Sequence, residues 1–260
     1  MLFVYTFVFL FGLIIGSFLN VCIYRIPREK SIVSPPSACP ACGAHIKPWH
    51  NIPVVSYILL GGRCANCGAG ISPRYPAVEL LNALLYIAAL YRFGFGPEAF
   101  TAMALLSAFV VVTFIDMDFQ IIPDEITLPG IVIGLIAGPL VFKTGDTYLH
   151  SLISSLIGAF GGGGLLFLFG WLWSVLRHKE GMGGGDVKFM AMVGAFLGWK
   201  AVLVTIFIGS LAGSVVGIGL IAVKVLKRDQ YIPFGPFLVI GAAVAMFFGD
   251  RLMGWYGLAR

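Results

Sequence analysis

The feature that most constrains this chain is a succession of apolar runs long enough to cross a lipid bilayer. Eight such stretches lie at residues 2–24, 77–91, 99–115, 126–142, 149–176, 187–199, 201–223 and 234–249. A hydrocarbon core of roughly 30 Å takes about 20 apolar residues as a helix, since only a closed set of backbone hydrogen bonds is tolerated there. The stretches at 77–91 and 187–199 are short, and little more than Lys200 separates 187–199 from 201–223. That pair forms either one helical hairpin or includes a re-entrant piece. Composition points the same way: 59% of residues are hydrophobic and 11% charged, against roughly 25% charged in soluble domains. The 34 glycines are scattered through apolar stretches without a repeat, which suits close helix packing in a membrane rather than disorder. The first stretch is expected to be an uncleaved helix, because Arg25 and Arg28 follow it and no basic residue precedes it. The expected fold is an all-α polytopic membrane protein with about eight transmembrane helices.

The basic residues orient it. With the N-terminus outside, one set of loops holds Arg25, Arg28, Lys30, Lys47, Arg63, Arg74, Arg177, Lys179, Lys188, Lys224, Lys227 and Arg228. The other side holds Arg92, Lys143, Lys200, Arg251 and Arg260. Lys and Arg collect on the cytoplasmic side, so both termini are expected outside. The net charge of +5 is thus a topology signal, and no basic soluble face points to nucleic acid.

Four of the five cysteines occupy the long hydrophilic loop at 25–75, as Cys39-x-x-Cys42 and Cys64-x-x-Cys67. Two such knuckles at this separation are the pattern of a four-thiolate structural zinc site, and Gly43 and Gly68 supply the freedom that the tight turns use. The alternative is two disulfides, which a cytoplasmic loop disfavours. A closed four-thiolate site has no open position for water, so this metal is structural. Cys22 reads as a small buried apolar residue, and His45 and His50 as ordinary loop residues.

Acids near a bilayer each need a reason. Asp116 directly follows the apolar run 109–115, and Asp186 ends a glycine run, Gly183-Gly184-Gly185, directly before the stretch from Val187. On the topology above, both emerge on the cytoplasmic side. Two carboxylates at one depth share a proton, so that one serves as base and the other as acid in hydrolysis. The glycines, Gly183 and Gly185 above all, leave room for an extended peptide, and unwinding there would expose backbone groups to pair with it. Asp118, Asp124 and Glu125 read as caps of a helix starting near Ile126 or as solvated charges. Asp146, Asp229 and Asp250 read as loop charges. Gly209, Gly213 and Gly217, four apart, read as a helix-packing face.

At these residues the sequence resembles the bacterial type IV prepilin peptidases, membrane aspartyl peptidases with a Gly-x-Gly-Asp motif. Gly183 to Asp186 matches the motif within the longer run 180–188, and Asp116 to Asp124 matches the first-aspartate segment with its Ile122-Pro123-Asp124 ending. The blocks Gly16 to Pro27, Asn51 to Ser56, Gly62 to Cys64 and Arg74 to Pro76 with Glu79 are similar to the family's N-terminal module. The block Ile232 to Phe237 also fits, with an expected structural role. The resemblance implies a catalytic pair Asp116 and Asp186, with Asp118 the rival for the first position. It implies cleavage of a basic leader after a glycine, then methylation of the new N-terminal residue with S-adenosylmethionine. Residues 1–95 would form the methylation-associated module and 96–260 the peptidase. Gly62 and Arg63 are the candidates for the methyl donor, although no Rossmann-type glycine loop is present. The partners implied are prepilin or pseudopilin leaders of type IV pilus and type II secretion systems, in the bacterial inner membrane.

A second function class is a cation transporter or channel with a metal-sensing cysteine loop, since intramembrane acids also mark ion paths. Both aspartates stand at segment edges rather than midway, and no inverted repeat is evident. A third, a structural protein of a secretion apparatus, needs no paired acids.

Overall fold

The structure, a computed structural model, describes residues 1–177, 182–225 and 232–255. Lys179, Glu180, Gly181, Lys227, Arg228, Asp229 and Arg260, used above, lie outside the described residues, as does the side chain of Asp250. The chain divides into two compact units, Met1–Val111 and Val112–Arg260, the division falling inside one helix.

The first unit contains α1 (Leu2–Arg25), a short α2 (Val55–Leu59), α3 (Arg74–Phe93) and the first half of α4 (Pro97–Phe119). Helix α3 ends at Gly94, whose N–H bonds back to Leu90 O; Pro97 then opens α4, where its missing N–H costs nothing. Helices α1 and α3 meet backbone to backbone. A Cβ on Gly12 would lie 2.7 Å from Ala83 Cα, and one on Gly16 would lie 2.6 Å from Glu79 Cα. The two glycines are four residues apart and so share one face. Buried polar groups are matched across this contact. Asn82 donates to Gly12 O at 2.8 Å and accepts from Ser107 Oγ at 3.0 Å, and Tyr86 Oη lies 2.9 Å from Ser107 Oγ. In an apolar surround an unmatched group would cost more than these bonds contribute.

The second unit contains the end of α4, α5 (Asp124–Ala137), α6 (Tyr148–Arg177), α7 (Gly184–Ala222) and α8 (Gly235–Trp255). Helix α7 lies at its centre, touching α5, α6 and α8. A straight helix of its 39 residues would be about 58 Å long, near twice the hydrocarbon core. Instead the backbone leaves helical geometry at Gly198 (φ 76°, ψ 175°), a conformation that favours glycine. Both arms then lie along α6. The Cβ position of Gly162 is 2.8 Å from Met190 O on the first arm and 3.1 Å from Val202 Cγ2 on the second. In one straight helix those residues would be about 18 Å apart. The apolar stretches 187–199 and 201–223 therefore form a helical hairpin that turns at Gly198, two residues before the sequence break at Lys200.

Among the described residues, six helices are long and apolar enough to cross a membrane, and Gly235–Gly249 adds a shorter apolar one. Counting the two arms of α7 separately gives eight apolar helical segments in the order of the eight stretches. The protein is an all-α, multi-pass membrane protein. Among the boundaries that differ from the hydropathy pattern, two bear on the acids. Helix α4 continues through Asp116 to Phe119, and α7 begins before Asp186. Hydropathy windows stop at the first charge, whereas a helix continues while its backbone bonds are made.

Candidate active site

Asp116 stands in the last turn of α4, where its carbonyl accepts the Gln120 N–H at 2.9 Å. Gln120 adopts φ 55° and stops the helix, and Pro123, extended at ψ 136°, starts α5. Asp186 sits in the first turn of α7, its N–H bonded to Gly183 O at 3.1 Å. Two contacts pin the connection α4–α5 to the start of α7. Ile122, itself buried, closes on Gly185, so that a Cβ there would lie 2.9 Å from Ile122 Cβ. One turn away, Lys188 Nζ donates to both oxygens of Asp124 at 2.7 Å.

These pins bring the two aspartates together. Asp116 is 5% and Asp186 6% exposed, and a charge on one carboxyl acts on the other. Asp118, the rival, is exposed; two residues along a helix is about half a turn, so it lies on the opposite face from Asp116. Asp124 and Glu125 stand in the first turn of α5, as acids at helix starts do, and Asp124 is committed to Lys188. Of the glycines, Gly183 is extended (φ −70°, ψ 140°) and exposed, Gly184 has open space around it, and Gly185 is already helical and packed on Ile122. Unwinding before Asp186 is thus confined, among the described residues, to Met182 and Gly183.

One contact to Asp116 comes from far along the chain and has no signature in the motifs around it. The backbone N–H of Gly235 donates to Asp116 Oδ2 at 2.9 Å. The block 232–237 had been expected to be structural, and only the bracketing prolines Pro233 and Pro236 marked it. Its other side packs on the glycine face of α7: Gly209 and Gly213 meet Phe237, and Gly217 meets Ile232.

In the first unit, Cys39, Cys42, Cys64 and Cys67 have sulfurs all within 4.8 Å of one another, and none is disulfide-bonded. The two knuckles repeat one geometry. In the first, Gly43 N–H bonds Cys39 O at 2.8 Å and Cys39 N–H bonds Ala44 O at 2.9 Å. In the second, Gly68 and Cys64 make the matching bonds at 2.9 and 2.8 Å. Cys39 Sγ lies 3.9 Å from Cys67 Sγ, close to the roughly 3.8 Å edge that a tetrahedron with metal–sulfur bonds of about 2.3 Å requires. The set therefore fits a metal ion held by four thiolates. The Ala44 N–H and the Asn66 side chain hold the Cys42 thiol down to about 6. The Cys67 thiol is drawn down by the Ala69 N–H, but the Cys42, Cys64 and Cys39 sulfurs and partial burial outweigh it and push it up to about 11. His45 is exposed and stands outside the cluster, and Cys22 is buried.

Gly62 and Arg63 lead into the second knuckle. Gly62 O accepts the Ile71 N–H at 2.7 Å, and the Tyr57 ring covers the glycine. Arg63 pairs its backbone with Gly70 and is exposed. Nearby, the buried Glu79 accepts the Val54 N–H at 2.7 Å and holds the 51–56 turn.

Fold and site together define a class: a multi-pass membrane protein with a buried pair of carboxylates at helix ends and a separate four-cysteine cluster. The comparisons name the family. Residues 10–93 match the bacterial peptidase A24 N-terminal domain, and residues 103–218 match the type IV leader peptidase family. A prepilin leader peptidase/N-methyltransferase of Pseudomonas aeruginosa is 37% identical, over 95% of this chain and 91% of that protein. Proteins of the same description from Aeromonas hydrophila and Legionella pneumophila are 39% and 36% identical, over 97% and 98% of this chain and 93% and 94% of theirs. No solved structure matches the chain. The chain belongs to the type IV leader peptidase family.

Proposed function

We propose that the protein cleaves the leader peptides of type IV prepilins and pilin-like secretion proteins, and N-methylates the residue so exposed. The relatives' shared description supports both activities. The observation that carries the peptidase reading is the convergence of Asp116 and Asp186, buried at 5% and 6% exposure, from two helix ends. Asp118, being exposed, takes no part.

The chemistry is hydrolysis. The ionised carboxylate takes a proton from water as its oxygen bonds to the scissile carbonyl carbon, and the protonated partner gives its proton to the carbonyl oxygen. When the intermediate collapses, the C–N bond breaks, the amine leaves with the proton returned by the first carboxyl, and one hydroxyl gives its proton back to the second carboxylate as the carbonyl re-forms. The exposed Gly183 lies beside Asp186 and is the candidate to receive the leader backbone, with Gly185 setting the start of α7 behind it.

We assign residues 1–95 to methylation and 96–260 to peptidase chemistry. S-adenosylmethionine, when bound, would supply the methyl group, with Gly62 and Arg63 as the candidate residues beside it. Zinc is the metal that the four thiolates favour, and as a closed site it would hold the loop folded. The excess of Lys and Arg in alternate loops supports termini outside, with the cysteine loop and the aspartates on the cytoplasmic side of the inner membrane.

The test is leader cleavage by purified protein in detergent, on a model prepilin. Asp116→Asn and Asp186→Asn should each lose at least about 10³-fold in kcat, while Asp118→Asn stays within a few-fold of wild type. Full cleavage by either of the first two variants refutes the pair. Liposomes that pass cations while the protein cleaves nothing would favour the transporter instead.

A further inference from the structure

We infer that Gly235 is a positioning residue of the aspartate pair. This rests on the peptidase assignment above. The segment carrying Gly235 enters α8 from the block 232–237, so the N–H at the start of that helix is not consumed by an intrahelical bond. It donates instead to Asp116 Oδ2 at 2.9 Å, across 119 residues of sequence. One carboxylate oxygen is thereby fixed, rotation of the carboxyl is restrained, and the remaining oxygen is left to take a proton from water.

Sterics make the same demand. A Cβ at position 235 would lie 2.6 Å from Asp116 Oδ2 and 3.0 Å from its Cγ. The atom met is the end of a side chain rather than backbone, so alanine would be accommodated by displacing the carboxylate. The segment is itself held in place, because Phe234 and Phe237 lie against Gly213 of α7. Asp186 acts on Asp116 from α7, Lys188 is bonded to Asp124, and the hydrogen bond that reaches Asp116 from the start of α8 is donated by backbone. Gly235 touches no substrate; it acts through Asp116.

The experiment measures kcat and KM for leader cleavage with the full chain in detergent, with methylation of a pre-cleaved substrate as the control. Gly235→Ala should lower kcat on the order of 100-fold, the cost of misplacing a reacting group by about 1 Å. KM should change little, and methylation should be kept. Replacing Gly235 by glycolic acid removes the N–H without adding a Cβ, and should lower kcat by about tenfold or more, the worth of one hydrogen bond to a charged group. A merely structural role would lower the yield of folded protein and both activities together, leaving kcat per folded molecule unchanged. If Gly235→Ala does not fold, the glycolate variant decides. Wild-type kcat in the glycolate variant overturns the inference. Asp116→Asn runs alongside: if it still cleaves, the dyad itself is wrong, whereas an inactive Asp116→Asn with a fully active glycolate variant removes Gly235 alone.

Discussion

Gly185→Ala separates two uses of the glycine before Asp186. A Cβ there would lie 2.9 Å from Ile122 Cβ and 3.2 Å from Ile122 N. Carbon atoms in good contact stand about 3.5–4.0 Å apart, so α7 and the Ile122 segment must separate by roughly 0.6–1.1 Å. Overpacking of this kind costs about 1–3 kcal/mol of stability. The same movement carries Asp186, the next residue, away from Asp116. A displacement near 1 Å at reacting groups costs on the order of 100-fold in rate, equal to about 2.7 kcal/mol of barrier. Leader cleavage should therefore fall about 100-fold in kcat with KM little changed, and the thermal midpoint should drop modestly. Methylation of a pre-cleaved substrate reports on residues 1–95 and should hold. Ile122→Gly, by removing the opposing Cβ, should return part of the lost kcat to the double variant. A rise in KM alone, without rescue by Ile122→Gly, would refute the packing argument and leave Gly185 as room for substrate backbone.

Two more outcomes follow from the first unit. Elemental analysis should find one zinc per chain, lost from a Cys42→Ser/Cys67→Ser variant. Asn82→Leu strands the Ser107–Tyr86 pair and frees Gly12 O, and should lower stability by about 0.6–2 kcal/mol, as for interhelical hydrogen bonds in membranes. Denaturant titration in mixed micelles measures this, and an unchanged midpoint would show that the buried network contributes nothing.

Much of the architecture was legible along the chain because the bilayer imposes it locally. An apolar run of the right length has few ways to satisfy its backbone other than a helix, so the order of apolar segments could be read residue by residue. The knuckles were legible for a similar reason: a Cys-x-x-Cys turn is a short-range object, and its ligand geometry follows from spacing. Asp116 and Asp186 stood out because each was an acid where the membrane discourages one. Choosing between Asp116 and Asp118 was another matter, since both stand within three residues in one segment; the helix continuing to Phe119 put them on opposite faces and buried only the first.

By itself, then, the sequence determined that the chain is helical and membrane-spanning, paired four cysteines as two knuckles, and proposed Asp116 and Asp186 as the acids to pair. Each of these was read from residues close to one another along the chain. Tertiary structure alone decided that α7 doubles back at Gly198, that Lys188 is spent on Asp124, and that Gly235 reaches Asp116 from 119 residues away. Those contacts arise from how helices pack at close range, where a missing side chain or a free N–H matters only once a particular partner stands opposite it.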